Sequence, residues 1–368
     1  MSLATTIVLW GFALGIALGF VTSKTNFCTM GAISDIVNMG SWGRMRAWLL
    51  AIAVAIIGTN LLAYNGTLDL SKTIYTGGSF PILAFIVGGL TFGIGMTLAS
   101  GCGNKTLVRI GGGNLKSLVV FVFMGVAAIA TLKGILGAFR VNFLSPAPVT
   151  LQLEPNQTLP SLLGGMFGIS DPKTALMVIA AIIAIALLVF VFMSKEFLKE
   201  HDNVLAGIVI GLIIIAAWYI TGKIGYAENP DTMEMTYMGT ASHLAESMSF
   251  VAPSAYTLEY LGYWTDTSNV LTFSVATAWG VILGSFIHAK ASGNFRWEYF
   301  NSAKDMGSHI IGALLMGFGG ITSLGCTFGQ GITGVSTLAL GSFATLISII
   351  AGSAITMKIQ YYLMMREA

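Results

Sequence analysis

Long apolar stretches separated by short polar segments most constrain how this chain can fold. An α-helix needs about 20 mostly apolar residues to cross a bilayer. Nine stretches come close to this: residues 3–21, 45–64, 80–99, 117–138, 174–194, 204–222, 270–289, 307–323 and 341–357. Only 9% of the residues are charged, whereas roughly a quarter are charged in an ordinary soluble domain. The sequence therefore predicts an all-α membrane protein with about nine transmembrane helices.

Basic residues cluster at alternate ends of these stretches. Thirteen of the 18 Lys and Arg residues follow the odd-numbered stretches: Lys24, Arg44, Arg46, Lys105, Arg109, Lys116, Lys195, Lys199, Lys290, Arg296, Lys304, Lys358 and Arg366. Short cytoplasmic segments are enriched in Lys and Arg. We therefore expect a multi-pass membrane protein with its N-terminus outside and its C-terminus in the cytoplasm.

An internal repeat relates the two ends of the chain. Residues 88–102 (GGLTFGIGMTLASGC) align without gaps with residues 312–326 (GALLMGFGGITSLGC), and six of the fifteen positions are identical. Other matches need an insertion at about 225–249. The pattern predicts one half at 1–140, an outer loop and linking helix at 141–203, and a second half at 204–368. The odd number of crossings between the matching positions makes the repeat inverted, which is typical of transporters. Close packing of glycine-rich helices would explain the shared glycines but not the shared cysteine.

Three cysteines stand where apolar stretches break. Cys102 and Cys326 are repeat mates, and Cys28 lies in the motif TNFCTMGA. None belongs to a CxxC pair, so neither a disulfide framework nor a zinc site is indicated, and no metal or other cofactor is expected. A single cysteine in an apolar chain is usually a small buried hydrophobe. Three at such breaks favour a functional role.

Glycine and lysine beside these cysteines indicate the kind of ligand. Gly101 and Gly325 permit non-helical turns, and the short helices that follow would direct backbone N–H groups towards the bilayer centre. Lys105, Arg109 and Lys24 add positive charge near the same turns. The expected ligand is a small anion with soft, sulfur-like character.

Neutral polar residues follow the same turns. Asn104, Thr106, Thr327 and Gln330 could hydrogen-bond a ligand, or they could simply cap the short helices. The sequence does not choose between these roles.

Several motifs resemble the YeeE/YedE family of bacterial sulfur-transport membrane proteins. They are NFCTMGAISDI at 26–36, LASGC at 98–102, AAWYITGKIG at 216–225, ESMSFVAPSAYTLEYLG at 246–262 and GALLMGFGGITSLGCTFGQGITGVSTLALGSF at 312–343. The resemblance extends over almost the whole chain. The stretch SKTN before Cys28 departs from the family, in which an arginine-containing variant is expected.

The resemblance implies uptake of thiosulfate through an hourglass-like bundle of inverted halves with short re-entrant helices. It implies that the thiols of Cys28, Cys102 and Cys326 pass the anion inward by S–H hydrogen bonding, without covalent chemistry. A small cytoplasmic sulfurtransferase of the TusA type is an implied partner. Some relatives are associated with selenium metabolism, so a selenium compound is an alternative substrate.

Two other functions compete with this interpretation. Met233, Met235 and Met238, together with three thiols, could carry Cu(I), which prefers thioether and thiolate ligands. A thiol-dependent sulfur-transfer enzyme would need an activated cysteine, yet no histidine neighbours any cysteine in sequence. No GxxxxGK[ST] phosphate-binding loop occurs, and no basic, aromatic-rich patch indicates nucleic acid. The expected contacts are a small anion and membrane lipids, and the chain is not expected to be an enzyme.

The orientation can be tested with reporter fusions. Alkaline phosphatase fused after Lys72 should be active, because the enzyme folds only outside the cytoplasm, and the same reporter fused after Lys199 should be inactive. A fluorescent protein at the C-terminus should fluoresce. The reverse pattern would contradict the orientation derived from the basic residues.

Overall fold

Helices account for most of the chain. The computed structural model describes residues 2–164, 168, 171–230, 233–266 and 269–367. Their α-helices are α1 (Leu3–Lys24), α2 (Thr29–Ser34), α3 (Gly43–Tyr64), α4 (Ile82–Leu98), α5 (Gly103–Gly111), α6 (Leu115–Leu132), α7 (Ile135–Phe139), α8 (Leu159–Gly164), α9 (Pro172–Phe192), α10 (Lys195–Lys199), α11 (His201–Tyr219), α12 (Ala252–Gly262), α13 (Phe273–Ala291), α14 (Ala303–Thr322) and α15 (Leu340–Glu367).

Short π-helical segments and two small sheets complete the described structure. The π-helical segments are Asp35–Met39 after α2, Arg140–Leu144 after α7, Ile220–Ile224 after α11, and Gly329–Gly334 between α14 and α15. Strand β1 (Ser79–Pro81) pairs antiparallel with β2 (Thr150–Gln152), and β3 (Tyr226–Glu228) pairs antiparallel with β4 (Met235–Tyr237). Both sheets lie in loops that the basic-residue pattern assigns to the outer side.

Each of the nine apolar stretches contains a helix. Seven of these helices are long and apolar enough to cross a membrane, namely α1, α3, α4, α6, α9, α11 and α15. The prediction of an all-α, multi-pass membrane protein is therefore confirmed. The remaining two, α13 and α14, do not meet this criterion of length and apolarity in the described residues. Many of their Gly, Ser and Thr residues are buried within the bundle, and spanning by these two helices stays a prediction.

One helix ends earlier than the apolar pattern predicts. The stretch 117–138 contains α6, which stops at Leu132, and Gly134 has extended backbone before the short α7. Glycine is among the poorest helix formers, so it ends the helix although apolar residues continue beyond it.

The same order of elements occurs twice along the chain. Helices α1 to α6 read long, short, long, long, short, long. The series α11, α12, α13, α14, Gly329–Gly334 and α15 reads the same way, with a π-helical segment in place of α5. Equivalent helices exchange partners: α1 packs along α13 and α11 along α3, while α4 packs against α15 and α14 against α6. The two segments are therefore interlocked rather than side by side.

Glycines allow the closest of these contacts. A Cβ atom at Gly15 in α1 would lie 2.3 Å from the carbonyl oxygen of Thr277, and one at Gly280 would lie 2.4 Å from that of Phe12. The α1–α13 contact is therefore backbone against backbone, as small residues permit in membrane proteins.

Adding one methyl group to α1 tests this packing. A Cβ at Gly19 would lie 2.1 Å from the carbonyl oxygen of Val281, so Gly19→Ala should destabilise the protein by about 1–3 kcal/mol through overpacking. Gly307→Ala in α14 is the matched control because a Cβ there meets no atom within 4 Å. Thermal unfolding in detergent should show a lower midpoint only for Gly19→Ala. Equal midpoints for the two variants would contradict the close α1–α13 contact.

Candidate functional site

All three cysteines follow the same kind of turn. Each comes shortly after the end of a long helix, α1, α4 or α14. The residue two positions before each cysteine has a left-handed backbone conformation: Asn26 has φ 51°, Ser100 has φ 58° and Leu324 has φ 61°. Left-handed backbone is unfavourable for residues other than glycine, most of all for a bulky one such as leucine. The same backbone turn therefore precedes all three cysteines.

Backbone hydrogen bonds close two of these turns in the same way. The N–H of Gly101 donates to the carbonyl of Met96 at 2.8 Å, and the N–H of Gly325 donates to that of Gly320 at 2.7 Å. Such bonds satisfy carbonyl groups that a helix end leaves free. A helix can therefore end in the protein interior without leaving these carbonyl groups unpaired.

Two cysteine sulfurs accept hydrogen bonds from the segments that follow them. The N–H of Gly31 donates to Sγ of Cys28 at 3.4 Å, and the N–H of Gly329 donates to Sγ of Cys326 at 3.4 Å. Cys102 stands at the N-cap of α5 but makes no such capping bond. The backbone N–H of Lys105 and the hydroxyl of Thr327 lie beside its sulfur.

The fold brings the three thiols into one region. All are free and buried. Cys102 interacts electrostatically with both Cys28 and Cys326, and the side chain of Thr327 lies beside its thiol. Cys102 is thus the thiol that interacts with both of the others, and a shared pathway of the three stays a prediction.

Four aromatic rings fill the space beside these turns. Phe27 stacks on Trp48 with ring centroids 5.2 Å apart. The ring of Phe328 meets Phe27, Trp48 and Phe250 edge-on, with centroid separations of 6.0, 5.7 and 5.4 Å. Phe27 precedes Cys28 and Phe328 follows Cys326, so the cluster fixes two cysteine turns against each other.

Several buried polar groups near the thiols have no hydrogen-bond partner. Neither the amide nitrogen nor the amide oxygen of Asn104 is hydrogen-bonded, and Oε1 of Gln330 also lacks a partner. Leaving one such group unsatisfied costs about 1–3 kcal/mol. Asn104 therefore does not cap its helix, whereas Thr106 donates to the carbonyl of Cys102 at 3.0 Å. Thr327 differs from Asn104, because its hydroxyl lies beside the thiol of Cys102.

A cavity of about 450 Å³, here called the inner cavity, opens beside the turns of Cys28 and Cys102. Its lining residues are Asn26, Cys28, Met30, Gly31, Arg44, Ser100, Lys105 and Arg109. Three of these side chains are basic and none is acidic. The cavity therefore favours an anion.

The basic side chains of the inner cavity are held in different ways. Arg44 forms a two-pronged ion pair with Asp35, and Nζ of Lys105 lies 3.5 Å from Oδ1 of Asn26. Lys24 is exposed at the end of α1 and does not line the inner cavity. Sequence analysis used Arg44 only to orient the chain. No sequence spacing indicates that α3 returns this arginine to the Cys28 turn.

A second cavity, here called the outer cavity, has a volume of about 220 Å³ and lies beside the Cys326 turn. It is lined by Ile74, Tyr75, Leu132, Arg140, Ser242, Ala245, Glu246, Ser247, Ser249, Ala252, Pro253, Tyr256, Ser274, Gly320, Ile321, Leu324 and Gly325. Nε of Arg140 is buried without a hydrogen-bond partner. Arg140 and Glu246 were not predicted as site residues, because both are far from any cysteine in the sequence.

No metal site is evident in the part of the chain that the structure describes. No group of three or more His, Cys, Asp or Glu side chains there could hold a metal ion. The methionines of the copper hypothesis lie on the outer hairpin, where Met233 and Met235 are exposed. Thr232 of the same stretch lies outside the described residues.

Known proteins that are similar to this chain include two that are named as transporters. A family model described as sulphur transport matches residues 24–355. A thiosulfate transporter TsuA of Escherichia coli (strain K12) is 26% identical over 367 residues, covering 94% of this chain and 93% of that protein. A thiosulfate transporter TsuA of Spirochaeta thermophila (strain ATCC 700085 / DSM 6578 / Z-1203) is 24% identical over 356 residues, covering 94% and 97%.

The match to the family extends over most of the chain and includes all three cysteine turns. The family and the two relatives are transporters by name, which confirms the prediction that this chain is not an enzyme. The chain is a multi-pass membrane protein that belongs to the sulphur transport family.

Proposed function

We propose that this protein carries thiosulfate, or a closely related sulfur-containing anion, inward across the bacterial inner membrane. The two relatives named as thiosulfate transporters support this substrate. The observation that carries the proposal is a set of three buried thiols beside an amide that has no partner in the protein. Cys28 lines the inner cavity, and Cys326 adjoins the outer cavity through Gly325.

The order of the thiols along the pathway follows from the cavities. Gly325, next to Cys326, lines the outer cavity, and Cys28 lines the inner cavity. Cys102 interacts electrostatically with both of the other thiols, so we assign it the middle position. The anion therefore meets Cys326 first, Cys102 at the constriction and Cys28 last.

Weak contacts suit this passage. A neutral thiol is a weak hydrogen-bond donor with a polarisable sulfur, and a thiolate would repel the anion. The unpartnered amide of Asn104 and the hydroxyl of Thr327 beside the Cys102 thiol supply further neutral hydrogen bonds at the constriction. Distributed weak contacts let the anion move on, whereas a single tight site would retain it. The positive side chains of Lys105, Arg44 and Arg109 then attract it into the inner cavity.

An inverted repeat organises this pathway. Its halves are residues 1–140 and 204–368, joined by the segment 141–203, and the short helices of both halves approach each other in an hourglass-like arrangement. The repeated order of elements and the exchanged helix contacts support it. The turn of Cys102 and the turn of Cys326 are equivalent, and each borders one cavity through Ser100 or Leu324.

The inner cavity is the delivery side. Orientation by basic residues places the N-terminus outside and the C-terminus in the cytoplasm, so the inner cavity faces the cytoplasm. A TusA-like sulfurtransferase is the proposed acceptor there. Selenium compounds and Cu(I) are the alternative cargoes.

Asn104 provides a test that separates transport from folding. Asn104→Leu removes an amide that has no partner, so the unfolding midpoint should stay equal or rise while thiosulfate uptake falls about tenfold. Asn60→Leu is the matched control because Asn60 donates to the carbonyls of Ile56 at 2.7 Å and Ser336 at 3.0 Å. Its midpoint should fall. A stable Asn104→Leu protein with full uptake would remove Asn104 from the pathway.

The thiols can be tested by uptake of labelled thiosulfate in cells that lack their own sulfate and thiosulfate permeases. Cys102→Ala and Cys326→Ala should each reduce uptake more than about tenfold, and the serine variants should retain a larger fraction, because a hydroxyl replaces the S–H donor. Ser353→Ala is the control, since Ser353 is equally buried but lies in α15, where it hydrogen-bonds Thr97.

Competitors in the same assay identify the cargo. Uptake that is unaffected by sulfate, selenite and Cu(I) supports thiosulfate. Inhibition by selenite or Cu(I) supports the corresponding alternative. Full uptake by a Cys102→Ala, Cys326→Ala double variant would contradict the thiol pathway.

A further inference from the structure

The outer cavity contains a carboxylate, which is unexpected on a route for anions. Among its lining residues, Arg140 and Glu246 are the two whose side chains ordinarily carry a full charge. An ionised carboxylate repels an approaching anion and offsets the attraction of the arginine. A neutral, protonated carboxyl does neither. The protonation state of Glu246 therefore decides whether the outer cavity attracts an anion.

The carboxylate of Glu246 is held in place by its own loop. Oε1 accepts hydrogen bonds from the backbone N–H of Ser242 at 2.8 Å and from its hydroxyl at 2.7 Å. The backbone is fixed as well, because the hydroxyl of Thr221 donates to the carbonyl of Glu246 at 2.6 Å. None of the ion pairs in the described residues includes Glu246. Its loop thus holds this carboxyl in position, and no ion pair in the described residues includes it.

The titratable neighbours of Glu246 come from several elements. Tyr75 lies on the loop after α3, Tyr256 on α12 and His243 on the same loop as Glu246, and each interacts electrostatically with it. Arg140, on the π-helical segment after α7, lines the same cavity. Tyr75 also interacts with Cys326. Tyr75 therefore interacts both with Glu246 and with the first thiol of the proposed pathway.

Burial favours the neutral form of this carboxyl. It raises the pKa of Glu246, while the bonds from Ser242 and the charge of His243 oppose the rise. A carboxyl with a raised pKa becomes protonated at a higher pH than an ordinary glutamate does.

We propose that Glu246 is a proton-binding site of the outer cavity, and that a thiosulfate-like anion occupies the cavity only when this carboxyl is protonated. Anion binding and proton binding then support each other: the anion raises the proton affinity of Glu246, and the proton raises the affinity for the anion. This inference rests on the proposed function for the identity of the anion.

Glu246→Gln mimics the protonated carboxyl and keeps an oxygen for the bonds from Ser242. In the purified wild type, the affinity for thiosulfate should fall by up to about tenfold for each pH unit above the pKa of Glu246. In Glu246→Gln the affinity should be independent of pH and equal to the value that wild type reaches in acid. Glu259→Gln is the matched control, because Glu259 also interacts with Tyr256 but pairs with Lys133 and does not line the outer cavity. It should behave as wild type.

Calorimetry in two buffers of different ionisation enthalpy counts the protons taken up with each anion. Wild type and Glu259→Gln should take up as much as one proton per anion above the pKa of Glu246, and Glu246→Gln should take up none. Proton uptake by Glu246→Gln equal to that of wild type would overturn the proposal. So would a folded Glu246→Gln protein that fails to bind thiosulfate at every pH.

Infrared pH-difference spectra of the protein without any anion separate this inference from the proposed function. A carboxyl band that titrates above the ordinary range for glutamate, and that is absent in Glu246→Gln, is the expected result. If wild type shows this band but neither binds nor transports thiosulfate, the proposed substrate fails while the proton site stands. If no such band is lost in Glu246→Gln, the proton site fails.

Discussion

Backbone polar groups within a membrane protein must be satisfied by the protein itself, because hydrocarbon offers no hydrogen bonds. The architecture depends on how this chain meets that requirement at three interrupted helices. Left-handed residues at the helix ends turn the chain, and two turns are closed by bonds such as that from Gly101 to Met96. Each turn places a cysteine at the start of the segment that follows it in the chain. Structural support and candidate chemistry therefore occupy the same few residues.

Close helix packing makes these turns possible. The backbone contact at Gly15 and Gly280 holds α1 against α13, and the aromatic cluster around Phe328 holds two cysteine turns together. Such contacts surround non-helical backbone with protein instead of lipid. The unpartnered amide of Asn104 stands out in this setting, because almost every buried polar group in a folded protein has a partner. Both its nitrogen and its oxygen lack a partner.

The two cavities differ in the charged side chains that line them. The inner cavity is lined by Arg44, Lys105 and Arg109, whereas the outer cavity is lined by Arg140 and Glu246. Protonation of the single carboxyl therefore changes the net charge of the outer cavity, and no lining carboxyl has that effect on the inner cavity.

Much of this arrangement was predictable from local sequence. Long apolar stretches predict helices in a membrane because a helix satisfies its own backbone, and the repeated Gly-Cys pairs predict interrupted helices because glycine tolerates turns. The approach of Arg44 to Cys28 was not predictable, nor was the presence of both Glu246 and Arg140 in the lining of one cavity. These contacts join residues far apart in sequence, and their charges carry no periodic signal.

The sequence by itself determined the membrane environment, the positions of the helices and the three cysteine turns, since each depends on residues that are neighbours in the chain. Only the tertiary structure decided which charges face which thiol and which polar groups remain without partners. Those properties depend on how α1, α3, α4, α13 and α14 pack, and that packing results from many weak contacts between distant segments. No single stretch of the sequence contains them.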